Sequence, residues 1–527
     1  MVIQKKYICL PYNNNMALKT LEFYNNGKLV YDLKIALDFL NPNNYAFVDF
    51  SRFACMELKI VCKTPEYSFE VPDEHIIQTD TIYENNLENK PFNHFTVKSG
   101  WMSDPNGLVY ANNTYHMFFQ YNPTGVEKCN MHWGHAVSKD LLHWEEVDAA
   151  LFPDDCGYIF SGCGIVDKRN LLKVKNSEYD TIVLFYTAAG GTSPLSQGKN
   201  FNVCMAYSTD NGKTFIKHKK NPIVPNITQL NRDPNVVYCD DLLGYVMVLY
   251  LYGSKYCLLK SENLVDWCAF QTIELSLNSE CPLLYSLCVD NDKRQRYWIL
   301  SGASDSYLVG SFKDGMFVPC QTIKKLHYGD CMYAPQVFSN TTDKVIRMSW
   351  MNILHTSSFT GQMSTICEMK LKKIEDSLYL CAWPISEMST LYANVKEYSY
   401  IEVSKEKPFM EVLDISALDI YINGVYNEAA VLNINLFGIP IICDMRNNNI
   451  AFGNAKGPLS IKKDKFQLRI IVDKNSIEIF IDEGEFLLSG EVNCDYILNY
   501  MKIISNIPVS VEKIKIASLK NQYKVRI

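Results

Sequence analysis

Short runs of alternating or wholly apolar residues, bounded by Asn, Asp, Gly and Ser, recur along the whole chain, whereas stretches of helical period beyond three turns are scarce. Residues 108–120 (with a turn at Asn112-Asn113), 181–188, 236–252, 297–302 and 345–351 predict strands, and the pattern is that of an all-β protein. Four segments repeat a scheme of strand, Ser-x-Asp or Ser-x-Asn turn, and terminal aromatic: 134–144, 203–215, 255–267 and 307–317. Their last aromatics, Trp144, Phe215, Trp267 and Phe317, are spaced by 71, 52 and 50 residues, a period suited to one four-stranded propeller blade with variable loops. With a weaker first copy, the repeats predict five blades, whose inner strands would gather residues from distant positions around one axial pocket.

The flanks differ from this middle. Residues 1–92 carry their own apolar runs (21–24, 28–33, 45–50, 55–62) and predict a small N-terminal β domain. Residues 93–395 then form the propeller, and 400–527 alternate again at 466–472, 476–481, 485–490 and 509–516. A hairpin turn at Asp482-Glu483-Gly484 suits a C-terminal β-sandwich.

Composition narrows the function. The 527 residues are 47% hydrophobic and 21% charged, which excludes disordered and fibrous classes and leaves room for two to four domains. A net charge of −7 with no long basic run argues against a nucleic-acid partner. Aromatics at 13% suit pleated sheets and the C–H faces of sugars. The 18 cysteines include no CxxC, no secretory signal is visible, and the longest apolar run, 242–252, is too short for a membrane span. The expectation is a cytoplasmic protein with free thiols and no membrane partner, in which the Asn-x-Thr sites at Asn112, Asn226 and Asn340 carry no glycan.

Three carboxylates stand out. Asp104 lies in Trp101-Met102-Ser103-Asp104-Pro105-Asn106-Gly107, and Asp233 lies in a second Asp-Pro-Asn, 129 residues later and two blades on. Both read as turns at strand starts that aim a carboxylate into the axial funnel. Arg232 would favour ionised Asp233. Glu280, flanked by apolar residues in Ser279-Glu280-Cys281-Pro282, would be desolvated and its pKa raised, as suits a general acid. Three carboxylates from three blades fit a glycosidase. His132, His135 and His143 are read as packing or solvent-facing groups and not as a zinc site, Cys281 as a small apolar neighbour, and no cofactor is expected.

The boxes 101–107, Gln120-Tyr121-Asn122-Pro123, Trp133-Gly134-His135-Ala136, Phe160-Ser161-Gly162, Arg232-Asp233-Pro234 and Glu280-Cys281-Pro282 stand in an order that resembles glycoside hydrolase family 32, the invertases and fructanases. The resemblance covers residues 93–397, and 473–480 resembles a strand of that family's C-terminal sandwich. It implies a five-bladed propeller with a β-sandwich, cleaving terminal β-D-fructofuranosyl units of sucrose or short fructans with retention. Asp104 would be the nucleophile, Asp233 the transition-state stabiliser and Glu280 the acid/base. Trp101, Met102, Ser103, Gln120, Trp133, Phe160, Ser161 and Arg232 would line the fructosyl site. Ser103 replaces the family's asparagine, Cys163 a frequent serine and Cys367 an expected arginine; all three read as tuning. A fructosyltransferase using the same covalent intermediate, or a non-catalytic carbohydrate-binding relative, are the alternatives. The N-terminal domain resembles the extra β domain of some levan-degrading relatives, or serves packing or oligomerisation.

Overall fold

The computed structural model describes residues 1–82, 90–354, 358–414, 417–492 and 498–521. Among these, all helices are 3-10 turns of three to six residues, and strands make up the rest of the regular structure, so the protein is all-β. The N-terminal part holds two small sheets. Tyr7–Tyr12 pairs with Asn44–Asp49 and Ile77–Thr79, and Lys19–Asn25 lies between Lys28–Ile35 and Lys59–Lys63. Alternate residues such as Ile8, Leu10, Leu21, Phe23, Tyr31, Leu33 and Ile60 meet in a core of their own.

From Gly100 to Pro384 the chain forms five sheets of four or five strands each. They begin with Gly100–Ala111, Tyr158–Val166, Arg232–Cys239, Leu283–Cys288 and Met332–Val337, which we call the inner strands. Each inner strand packs against those of the preceding and following sheets, and the fifth packs against the first, so they close a ring. Phe359–Thr360 extends the first sheet by pairing in parallel with Gly100 and Trp101, which ties the end of the ring to its start. The repeated aromatics earn their place in the sheet-to-sheet layers: Phe215 packs edge-on against Phe118, and Trp267 against Phe185.

Two six-stranded sheets follow, with orders running from Tyr392–Val403 to Phe486–Glu491 and from Phe409–Val412 to Ala455–Pro458; their facing sides share one apolar core. Tyr392–Val403 crosses the boundary expected at 395–400, because it pairs along its length with Val509–Leu519. The run 236–252, expected as one strand, is two: a turn at Asp240–Leu242 separates Arg232–Cys239 from Gly244–Tyr252, which pair antiparallel.

Candidate active site

Asp104 and Asp233 are not in turns. Both Asp-Pro-Asn motifs lie inside inner strands, where Pro is tolerated because one edge of an inner strand faces the axis and makes no ladder. The pairing register breaks at these places: between Met102 and Pro105, between Phe160 and Gly162, and between Arg232 and Asn235. The skipped residues are Ser103 and Asp104, Ser161, and Asp233 with Pro234, so bulges turn these side chains toward the axis. Asp233, Glu280 and Cys281 have left-handed backbones (φ 60°, 63° and 39°), a conformation held only where surrounding structure enforces it. Gly162 is required at its bulge, since a Cβ there would stand 1.9 Å from the Phe185 carbonyl oxygen.

The asparagine of each motif laces neighbouring sheets. Asn106 Oδ1 accepts the Gly162 N–H at 3.1 Å, and Asn235 Oδ1 accepts the Leu284 N–H at 2.9 Å. Gln336 of the fifth inner strand donates to the Gly162 carbonyl at 3.0 Å. This layer is a hydrogen-bonded floor. Beyond it, a separate cavity of about 920 Å³ is lined by Cys163, Asn235, Leu284 and Gln336 and does not include the carboxylates.

Above the floor the three carboxylates converge. Ser161 Oγ donates to Asp104 Oδ2 at 2.7 Å, and the Cys281 thiol lies 3.7 Å from a carboxylate oxygen of both Asp104 and Asp233. The Cys281 N–H donates to Asp233 Oδ2 at 3.1 Å, while the Asp233 N–H donates to Thr187 at 2.8 Å. Arg232 donates to Glu280 Oε1 at 2.6 Å, stacks over Tyr250, and keeps its Nε 3.7 Å from Asp233. Tyr333 donates its hydroxyl to Glu280 Oε2 at 2.9 Å.

These contacts reverse the charge assignment expected from sequence. Burial raises the pKa of Asp104 despite the Ser161 hydrogen bond, and burial pushes Asp233 up to about 7, against the opposing field of Arg232. Glu280 also feels desolvation, but the Arg232 and Tyr333 hydrogen bonds overcome it and hold Glu280 below the usual glutamate range. The reason is geometric: the guanidinium lands on Glu280 and only flanks Asp233.

The remaining residues expected in the site fall into two groups. Trp101, Ser103, Gln120 and Ser161 are buried near it, and Phe160 is half-buried among Trp101, Phe201 and Trp350. Met102 and Trp133 are fully buried behind it; Met102 belongs to the main core, and the Trp133 indole N–H donates to the Phe160 carbonyl at 3.1 Å. His132, His135 and His143 sit apart: His132 meets Tyr31, His135 meets His116, and His143 is exposed beside Asp140. Sequence reasoning missed Tyr333 and Trp350. Trp350 is edge-on to Trp101 at 6.0 Å, and its buried indole N–H, like Gln120 Nε2, has no partner among the described residues. A signal for Tyr333 existed: Ala334-Pro335-Gln336 is a third Asp-Pro-Asn-like motif, with Ala334 at φ 51° and the same bulge.

The model of the N-terminal domain of glycosyl hydrolases family 32 matches residues 94–384, and that of the family's C-terminal part matches 440–516. The chain belongs to glycosyl hydrolase family 32. A levanase of Bacillus subtilis is 30% identical over 454 residues, covering 76% of this chain; the chain spans only 66% of that protein's own length. The beta-fructofuranosidase of Schwanniomyces occidentalis, solved with fructosyl-erythritol, superposes with a TM-score of 0.72 at 25% identity, covering 82% of this chain and 98% of that one. The exo-inulinase of Aspergillus awamori has the same fold, with a TM-score of 0.73 at 24% identity over 82% of this chain and 99% of its own. The three departures from the family pattern sit differently in this family 32 chain. Ser103 adjoins Asp104 within its bulge. The Cys163 sulfur accepts the Val236 N–H at 3.1 Å, lacing the second inner strand to the third. Cys367 is buried in the core, its thiol raised by desolvation, and Arg347 nearby is paired with Asp305.

Proposed function

We propose that this family 32 chain removes terminal β-D-fructofuranosyl units from sucrose and fructans by a retaining mechanism, on a five-bladed propeller followed by a β-sandwich. The observation that carries the reading is the meeting of Asp104 and Asp233, from two inner strands, and Glu280, from the bend before the strand Leu283–Cys288, around one thiol and one guanidinium. The closed ring of five inner strands supports the propeller, and the shared core of the two six-stranded sheets supports the sandwich.

In this reading Asp104, steadied by Ser161, attacks the anomeric carbon, and Glu280 gives its proton to the departing glycosidic oxygen as that bond breaks. Glu280 then takes a proton from water, whose oxygen attacks the same carbon and frees Asp104. Asp233 accepts hydrogen bonds from the fructosyl hydroxyls, which strengthen as positive charge develops on the ring. Gln120 and Trp350 offer their unpartnered N–H groups to other hydroxyls. Arg232 has to release Glu280 for the first step, and its Nε already lies 3.7 Å from Asp233. The test is fructose release from sucrose, inulin and levan by the pure protein, with Asp104→Ala as control. Release by the protein and silence in the control support the reading; equal release by both overturns it. Trisaccharide formed at high sucrose identifies a fructosyltransferase instead.

A further inference from the structure

A ring of five inner strands has two ends, and the carboxylates occupy only one of them. On the other side of the hydrogen-bonded floor, the cavity of about 920 Å³ is lined by all five strands, through residues such as Leu108, Cys163, Asn235, Leu284 and Gln336. The loops that follow the second, fourth and fifth inner strands complete its wall. Its size is that of a small-molecule site. The wall is fixed without an occupant: Ser339 Oγ donates to the Gly164 carbonyl at 2.8 Å, and Asn340 Nδ2 donates to the Tyr110 carbonyl at 2.6 Å. These bonds pin the loop after the fifth strand to the first two sheets, and a cavity held in shape loses less affinity to ordering.

Polar atoms of two kinds face this space. The first are the amides of Asn235 and Gln336, each 6% exposed. Asn235 uses Oδ1 to accept the Leu284 N–H, and Gln336 uses Nε2 to donate to the Gly162 carbonyl. That leaves Asn235 Nδ2, a donor, and Gln336 Oε1, an acceptor, without a partner among the described residues. Groups this deeply placed call for hydrogen bonds, and a hydroxyl, which both donates and accepts, satisfies either one.

The second kind is charge. Six cationic side chains line the cavity (Lys168, Arg169, Lys293, Arg296, Lys344 and Lys370) against two carboxylates, Asp343 and Glu368, in a chain whose net charge is −7. Part of this charge is balanced locally. Glu368 lies 3.8 Å from both Lys344 and Lys370, Lys344 also meets Glu387 at 3.0 Å, and Arg296 pairs with Asp240 at 2.8 Å. Asp167, at the root of the Lys168 loop, is committed to the Leu171 and Leu172 N–H groups at 2.9 Å each. Arg169 rests on the Tyr238 ring at 4.4 Å. Lys168 and Lys293 are exposed and have no ion-pair partner among the described residues, so the charge left over at this end is positive.

We infer that this second mouth of the ring is a binding site for a small anion that also carries hydroxyls, of the sugar phosphate class. The hydroxyls meet Asn235 Nδ2 and Gln336 Oε1, and the phosphate meets Lys168 and Lys293. The site is separated from Asp104, Asp233 and Glu280 by the floor, so it stands independently of the fructosidase reading.

The test titrates glucose 6-phosphate, glucose and inorganic phosphate separately into the full-length protein by calorimetry at low salt. Glucose 6-phosphate is expected to bind saturably, one per chain. Glucose and inorganic phosphate each bind about tenfold more weakly or worse, because each lacks one of the two sets of contacts. Lys168→Met and Lys293→Met each weaken glucose 6-phosphate about two- to fivefold, and salt weakens it in the unaltered protein. Asn235→Asp keeps an acceptor for the Leu284 N–H but replaces the free donor with a carboxylate oxygen, and weakens binding about tenfold or more. Hydrogen exchange locates the ligand, slowing amides in 163–169 and 336–344. Absence of saturable binding overturns the inference, as does binding untouched by both lysine variants or inorganic phosphate that binds as tightly as glucose 6-phosphate. Protection confined to 101–106 and 278–281 also overturns it, because the ligand then sits with the carboxylates.

Discussion

Removing the Tyr333 hydroxyl tests the charge arrangement of the site directly. Tyr333 donates to Glu280 Oε2 at 2.9 Å, so Tyr333→Phe deletes one of two donors that hold the Glu280 carboxylate ionised. A hydrogen bond to a charged group contributes about 1.5–3 kcal/mol when buried, but the Glu280 side chain is 35% exposed, and screening reduces this to about 1 kcal/mol. That corresponds to about 0.7 pH unit on Glu280. In the proposed mechanism the productive state for cleavage has its proton on Glu280, whereas in the empty site burial, which pushes Asp233 up to about 7, favours the proton there. The variant therefore populates the productive state up to about fivefold more, and the weaker acid offsets part of this, leaving a gain of about two- to fivefold in kcat/KM. The alkaline limb, governed by Asp233, stays near pH 7. The assay is initial-rate hydrolysis of sucrose across the pH range. A tenfold or larger fall in kcat/KM with both limbs in place would refute the reasoning, because Tyr333 would then act by touching the sugar.

Other expected outcomes are read in simpler assays. Asp104→Asn and Glu280→Gln should each lower kcat by roughly a thousandfold or more while circular dichroism and melting stay near wild type, since the proposed mechanism has both groups act in the transition state. Asn106→Ala leaves the Gly162 N–H without its acceptor in the buried floor and should cost about 1–3 kcal/mol of stability, measured by denaturant unfolding. His94 lies between Asp473 and Glu478 at 2.7 Å from each, all but buried, and joins the segment before the first sheet to the hairpin of Lys465–Val472 and Ser476–Ile481. Desolvation opposes its charge, yet the two carboxylates raise its pKa to about 10, so its stabilisation is complete below about pH 6.5 and is lost as pH rises toward 10. His94→Gln should then destabilise by about 3–5 kcal/mol at pH 6, with the gap in Tm narrowing by pH 9; a gap that stays constant with pH would show that the ring is not charged.

The sheets were legible because their signals are local. Alternation marked the strands, and the terminal aromatics Trp144, Phe215 and Trp267 marked a repeat because each packs at the same layer between sheets. The break at Asp240–Leu242 is marked in the sequence only by Asp240-Asp241 between two apolar runs, and the reversal is completed by Leu243, which caps the 3-10 turn at φ 49°. Of the site, the residues on the family boxes were readable, but Met102 and Trp133 show that a motif position can serve the wall behind a site as well as its lining. Tyr333 and Trp350 lie in the fifth sheet, where the motif keeps its proline and its lacing amide but has alanine in place of the aspartate.

That third motif explains what the repeated x-Pro-Asn/Gln pattern is for. A bulge at the first position turns one side chain to the axis, proline removes an N–H that would have no ladder partner, and the amide at the third position ties another sheet at the floor, the following one for Asn106 and Asn235 and the second sheet for Gln336. Where the first residue is Asp104 or Asp233 the device delivers a carboxylate; where it is Ala334 it leaves space beside Tyr333. The positions of Asp104 and Asp233 follow from this pattern, but the location of the shared proton does not. It depends on how deeply each acid is buried and on where the Arg232 guanidinium lands, 2.6 Å from Glu280 and 3.7 Å from Asp233. Burial pushes Asp233 up to about 7 against the field of Arg232, while the direct hydrogen bonds from Arg232 and Tyr333 hold the half-buried Glu280 below the usual glutamate range. In the proposed mechanism, sugar hydroxyls that draw Arg232 from Glu280 toward Asp233 would move the proton to the group that donates it, so that binding and acid activation would be one event.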